Sequence, residues 1–308
     1  LFAADVRCLG LNVQALDAAK RGSLALVADA RSALTALSAA LADWRADGAW
    51  TVRAKALGVA WNERVTELTT HVPAGELPYD AEVIGAVRDS APDSAGNDIV
   101  VCAAGTLPAE LHKLWRSSHA GGYHMEYGYS CMGYEIAGGL GVKLARRERE
   151  VIVMVGDGSY LMLNSEIATS LMLGLKLIVV VLDNRGYGCI NRLQQATGSA
   201  PFNNMFDDCV QGRHGAPTID FAAHARSLGA IAEHVADIEG LEAALERARA
   251  ADRTYLISID TDHTRTTDEG GVWWDVAVPE VSTRDAVREA RSGYETAIVG
   301  RKARNTPA

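Results

Sequence analysis

The chain has 308 residues, 48% of them hydrophobic and 22% charged, enough to bury a sizeable core as one large domain or two ordinary ones. A formal net charge of −9 argues against nucleic acid or an anionic membrane as partner, but not against a phosphate ligand held locally by amides and a metal. The five cysteines (Cys8, Cys102, Cys131, Cys189 and Cys209) are scattered without a CxxC pair, which suggests reduced thiols in a cytoplasmic protein rather than a disulfide framework or a zinc site.

Leu1 is not a start methionine and acidic Asp5 follows it closely, so no signal peptide is read and the chain is expected to begin inside a longer protein. No apolar run is long enough to cross a membrane. "SLALVAD" (23–29) reads as a strand and "RSALTALSAALADW" (31–44) as a helix, expected as the tail, 1–48, of a central α/β domain. Residues 49–80 read as a linker, closing in the Pro/Gly break "HVPAGELPYD". A cofactor-sized α/β domain, 81–280, follows. Its helices are expected near 81–89, 107–116, 132–146, 162–173, 220–228 and 238–250, with a looser stretch after residue 183. Its strands are expected at 98–104, 151–156, 176–183, 230–235 and 254–260. Strands built of continuous β-branched runs and separated by helices predict a doubly wound parallel sheet, fold class α/β. A charged helix near 283–303 fills a C-terminal extension, 281–308.

One stretch carries most of the chemistry: "VGDGSYLMLNSEIATSLMLGLKLIVVVLDNRGYG" (155–188). In a parallel sheet, ligands gather beyond the carboxyl ends of the strands, so Asp157 and Asn184 are predicted side by side although far apart in sequence. Gly156 and Gly158 let the backbone approach an anion, and the following helix start suits a phosphate. The Asp157 carboxylate, the Asn184 amide oxygen and the Gly186 carbonyl are hard oxygen donors that suit Mg²⁺ or Ca²⁺. A lone GDG marks turns of many kinds. The whole succession of strand, GDG, helix, strand, DN and GYG is far more specific, and it reads as a metal–diphosphate clasp.

This stretch resembles the motif of the thiamine-diphosphate-dependent enzymes, with Asp183-Asn184 where that family usually has two asparagines. The resemblance implies thiamine diphosphate and Mg²⁺ as cofactors, with Asp157, Asn184 and the Gly186 carbonyl on the metal. A second segment, "EYGYSCMGYEIAGGLGVKLA" (126–145), is similar to acetolactate-synthase-like members, in which an apolar residue before a glycine props the cofactor into its bent form. Here that residue is Met132. The resemblance extends the expected cofactor contacts to Gly128, Ser130, Ser159 and Tyr187. Four stretches, among them "GGVWWDVAVPEVS" with Trp273 and Trp274, resemble the branch of this family that opens a ring in myo-inositol catabolism. That implies a small polyhydroxylated cyclic dione as substrate, hydrolysed between its two carbonyl carbons to 5-deoxyglucuronate. It also implies a homodimer or homotetramer, and an N-terminal pyrimidine-binding domain whose activating Glu lies outside this chain; Glu126 and Glu135 are expected on the wrong half of the cofactor for that role. A 2-keto-acid decarboxylase or carboligase of the same family, or a non-catalytic fragment or subunit, remains an alternative. A nicotinamide-binding protein is disfavoured, since no GxGxxG follows the first strand of the domain.

Other residues are open between a role and none. Gly105 and Thr106 in "AAGTLP" could reach the diphosphate or merely turn the chain. His124, favoured over His119, could relay protons beside the cofactor. Cys189 reads as packing rather than as an activated thiol, and Tyr187 and Asn191 are possible substrate contacts.

Overall fold

Strands composed almost wholly of aliphatic residues have no polar face to show to water, so they are stable only where helices cover both sides. In the computed structural model, which describes residues 6–70, 75–90, 98–209, 216–269 and 276–305, that requirement shapes the larger of two units, Trp61–Trp274. The smaller unit comprises Leu1–Ala60 with Asp275–Ala308.

The smaller unit holds a two-stranded parallel sheet of β1 (Leu9–Asn12) and β2 (Leu24–Val27), with Leu9 opposite Leu24. The helix Ala15–Ala19 lies between them in sequence, and Ala30–Ala40 follows, capped by Asp29, whose carboxylate accepts from Ser32 N–H at 2.9 Å. The strand β1 was not expected. Its four residues, LGLN, are too few to display a period.

The larger unit is built on six parallel strands: β3 (Ile99–Cys102), β4 (Tyr123–Met125), β5 (Val151–Gly156), β6 (Ile178–Asp183), β7 (Ile231–Val235) and β8 (Tyr255–Asp260), in the order β4-β3-β5-β6-β8-β7. Alternation along each strand feeds two cores. Ile152, Met154, Val180 and Ile257 point to one face, under the helices Asp80–Asp89, Leu107–Leu114 and Ile238–Ala250. Val151, Val153, Val179 and Leu256 point to the other, under Tyr134–Ala145, Glu166–Met172 and Phe221–Ser227. This is the doubly wound α/β class.

Three expectations change. Much of the presumed linker is helix, Gly48–Thr69, whose alanine-rich sequence favours helix although its apolar residues form no single stripe. The helix expected over 162–173 begins earlier and is broken into Asp157–Met162 and Glu166–Met172. The loose stretch after β6 contains the helix Gly188–Ala196. Among the described residues, no helix is long and apolar enough to cross a membrane. Trp273 and Trp274 lie outside the described residues.

The topology fixes where a ligand can enter. From β3 the chain goes to β4 on one side, then returns to β5 on the other, so the sheet reverses direction between β3 and β5. A crevice opens beyond the carboxyl ends of strands at such a point. Gly105 and Thr106 follow β3, and Asp157 follows β5.

Candidate cofactor and metal site

Register brings the two ends of the motif together: Gly156 on β5 lies opposite Leu182 on β6, so Asp157 and Asn184 emerge at the same edge. Asp157 is 2% exposed, and the nearby backbone amides of Gly158 and Gly186 offset part of the cost of burying its carboxylate. Burial first, and the neighbouring Asp183 carboxyl second, push its pKa up to about 7. Asp183 is raised for the same first reason, while the backbone N–H of Arg185 donates to its Oδ1 at 2.9 Å and turns it into a brace for the loop. A buried carboxyl with a half-buried one beside it favours a cation.

Asn184 offers a matching donor. Its side-chain Oδ1 is buried and has no hydrogen-bond partner. An orphaned amide oxygen beside a buried carboxylate is what a hard divalent cation would satisfy. The turn that follows is tightly made. Arg185 has φ +63° and Gly186 φ +146°, and a Cβ on Gly186 would stand 2.4 Å from the Asn204 carbonyl oxygen. Tyr187 N–H donates to that same carbonyl at 2.8 Å, pinning the loop. Among the described residues, no group of three His, Cys, Asp or Glu side chains could hold a metal, so this mixed oxygen set is the candidate.

A cavity of about 680 Å³ opens from the clasp. Gly105, Thr106, Gly128, Ser130, Met132, Gly156, Gly158, Ser159, Tyr187 and Cys189 all line it together with Asp157, Asn184 and Gly186. Met132 and the Tyr187 ring close over Gly158, where a Cβ would meet Tyr187 Cε1 at 2.6 Å and Met132 Cε at 3.3 Å. Glu126 builds the loop that carries them: its carboxylate accepts from Tyr129 N–H at 2.9 Å and Cys131 N–H at 2.8 Å, which lowers its pKa. The helix after β5 has only six residues, so its dipole adds little and the clasp rests on the side chains and backbone named above.

Other candidates lie elsewhere. His124 sits on the edge strand β4, where its Nε2 pairs with Tyr134 Oη at 2.7 Å, and it is not among the residues lining the cavity. That engagement puts the expected proton relay outside the pocket of this chain. His119 pairs with Arg149 at 2.7 Å, and Asn191 donates to Asp208 at 3.2 Å; neither lines the cavity. Burial pushes the Cys189 thiol up, the opposite of activation.

A polar wall was not foreseen. Asp80, Glu110, Lys113, Arg192 and Thr267 line the same cavity. Arg192 bonds Thr106 Oγ1 and donates to the His263 carbonyl at 2.6 Å, tying the turn after β3 to the segment after β8. Thr267 N–H donates to Glu110 Oε1 at 3.1 Å. The sequence signal was Glu110 itself, a charge inside the buried stripe Leu107, Leu111 and Leu114. Asp80 is 8% exposed, and burial, then Glu110, push its pKa up to about 7, with Arg192 opposing. A raised acid binds its proton more tightly folded than unfolded. Its contribution to stability is therefore full below about pH 4 and is lost as pH rises through about 7. The Asp80→Asn chain should gain melting temperature over the parent progressively between those limits. Thermal unfolding at pH 4 and pH 8 checks it, and a difference independent of pH would contradict it.

Residues 103–259 match the family described as thiamine pyrophosphate enzyme, C-terminal TPP binding domain. The 3D-(3,5/4)-trihydroxycyclohexane-1,2-dione hydrolase of Geobacillus thermodenitrificans (strain NG80-2) is 39% identical over 319 aligned residues, covering 96% of this chain and 50% of that relative. The Bacillus subtilis (strain 168) protein of the same name is 35% identical, covering 96% and 49%. The chain thus spans about half the length of the curated relatives it matches. Among solved structures, the Rhodococcus jostii RHA1 thiamine diphosphate-dependent 4-hydroxybenzoylformate decarboxylase superposes with a TM-score of 0.55 at 24% identity, over 63% of this chain and 34% of that one. That likeness concerns the fold alone.

Proposed function

The chain belongs to the thiamine pyrophosphate enzymes, and from that premise we propose that it holds thiamine diphosphate through Mg²⁺ and serves to hydrolyse a carbon–carbon bond in a small polyhydroxylated cyclic dione. The observation that carries the cofactor reading is the orphaned, buried Asn184 Oδ1 beside the Asp157 carboxylate at the mouth of the cavity. Asp157, Asn184 Oδ1 and the Gly186 carbonyl would hold the metal. Gly105, Thr106, Gly158 and Ser159 would border the diphosphate. The similarity over 96% of the chain to relatives named as trihydroxycyclohexanedione hydrolases supports the choice of substrate.

When bound, the cofactor supplies stabilisation of negative charge on a carbonyl carbon, and the protein supplies binding, orientation and exclusion of water. Met132 and Tyr187, whose side chains meet over Gly158, would shape the conformation of the bound cofactor. In the proposed reading, the group that activates the cofactor comes from a pyrimidine-binding domain outside this chain, in a homodimer or homotetramer.

Met132→Ala should leave Mg²⁺-dependent cofactor affinity nearly unchanged and lower turnover by roughly tenfold or more, because a misplaced reacting centre loses orientation rather than anchorage. Calorimetry on the chain, and turnover at saturating cofactor of the chain completed with an amino-terminal half, check it; lost affinity with normal turnover would make Met132 an anchor only. The substrate reading is tested with a chimera joining the amino-terminal half of the Geobacillus relative to this chain. Offered cyclic 1,2-diones and 2-keto acids in parallel, it should release acid from the diones. Turnover of the 2-keto acids alone would replace the reading by a decarboxylase or carboligase.

A further inference from the structure

A carboxylate in the first turn of a helix ordinarily faces water, yet Glu135, second in the helix Tyr134–Ala145, is 0% exposed. Burial of such a group is tolerated when donors surround it, and it pushes the Glu135 pKa up. Its polar neighbours come from three separate segments. Oε1 accepts from Ala104 N–H at 3.2 Å, just beyond β3. Oε2 accepts from Gly133 N–H at 3.0 Å, before the helix. The Ser159 hydroxyl, beyond β5, faces the same carboxylate and opposes the rise.

Each neighbour adjoins a different part of the pocket. Ala104 precedes Gly105 and Thr106, Gly133 follows Met132, and Ser159 follows Asp157 and Gly158. One side chain therefore ties the turn that borders the diphosphate to the methionine that caps Gly158. Neither the metal clasp nor the proposed chemistry uses Glu135 directly.

We propose that Glu135 is a positioning residue that sets the Met132 loop in register with the Gly105–Thr106 turn and the Asp157 helix, so that both ends of thiamine diphosphate fit at once. The inference rests on the reading of this cavity as a thiamine diphosphate site. Both carboxylate oxygens are needed. In Glu135→Gln one of the two backbone N–H groups must face an NH₂, and a buried donor is left without an acceptor. Glu135→Asp keeps both acceptors on a shorter arm and cannot reach both segments equally.

The experiment compares the full chain with E135Q and E135D. Hydrogen exchange at the Ala104 and Gly133 amides is followed without cofactor. Calorimetry then measures Mg²⁺-dependent affinity for thiamine diphosphate and for inorganic diphosphate, well below each variant's unfolding midpoint. E135Q should exchange faster at one or both amides and bind thiamine diphosphate roughly ten- to a hundredfold more weakly. Inorganic diphosphate, which does not reach the Met132 loop, should lose clearly less, because a displaced loop obstructs the thiamine end whereas truncating Met132 only removes a prop; E135D should fall between E135Q and the parent. Equal losses for both ligands, or none, would make Glu135 a plain structural residue and overturn the proposal. Should E135Q not fold, the same ratio measured on E135D decides the matter. Failure of the parent chain to bind either ligand would instead sink the cofactor reading, and with it this inference, before any variant is compared.

Discussion

Replacing Asp157 by alanine should abolish Mg²⁺-dependent binding of thiamine diphosphate while leaving the chain folded. Partners that merely orient metal ligands are worth roughly 10- to 100-fold in metal affinity, so loss of the single carboxylate of the set should exceed that. The buried carboxyl has its pKa raised by burial and by Asp183, so without metal it is a strained group rather than a stabilising one. Without cofactor and at pH 8, Asp157→Ala should therefore melt no lower than the parent; with Mg²⁺ and cofactor, only the parent should gain melting temperature. Calorimetry and thermal unfolding read both effects. Retained affinity, or a large loss of apo stability, would count against the assignment.

The second large effect is expected at Gly186. An alanine there would place its Cβ 2.4 Å from the Asn204 carbonyl oxygen and 2.8 Å from Met205 Cα, both backbone atoms that cannot step aside. Its φ of +146° adds strain for any residue with a side chain. The loop must shift, carrying the Gly186 carbonyl away from Asp157 and Asn184. Gly186→Ala should lose about 1–3 kcal/mol of stability and most of its cofactor affinity. Gly156→Ala is the control, since a Cβ there meets nothing within 4 Å and should leave the melting temperature unchanged. Equal melting of both variants would contradict the account of the turn.

What could be read from sequence follows from how local its cause is. The strands β5 and β6 were legible because VIVMVG and IVVVLD can be covered only on both faces, and Asp157 and Asn184 were legible because each ends such a strand. The strand β4, three residues at the sheet edge, has no period to show and is defined only by its pairing with β3. The helix Gly188–Ala196 begins where the strained Gly186 turn delivers the chain, a cause invisible in its own polar sequence. The polar wall was hidden for a different reason. Asp80, Glu110, Arg192 and Thr267 come from four distant segments, and charged residues on helices are ordinarily read as solvated. The burial of Glu135 against the Ala104 turn and Gly133 depends on segments distant in sequence and has no local signal.

The central claim, that Asp157, Asn184 and the Gly186 carbonyl form a metal clasp for a diphosphate, is tested most directly by one calorimetric titration. Thiamine diphosphate is added to the chain in Mg²⁺ and again in excess chelator, with thiamine lacking the diphosphate as the third ligand. Saturable binding of thiamine diphosphate is expected in Mg²⁺ and little or none in chelator, with thiamine binding weakly in both. Equal binding of thiamine diphosphate with and without Mg²⁺ would contradict the claim.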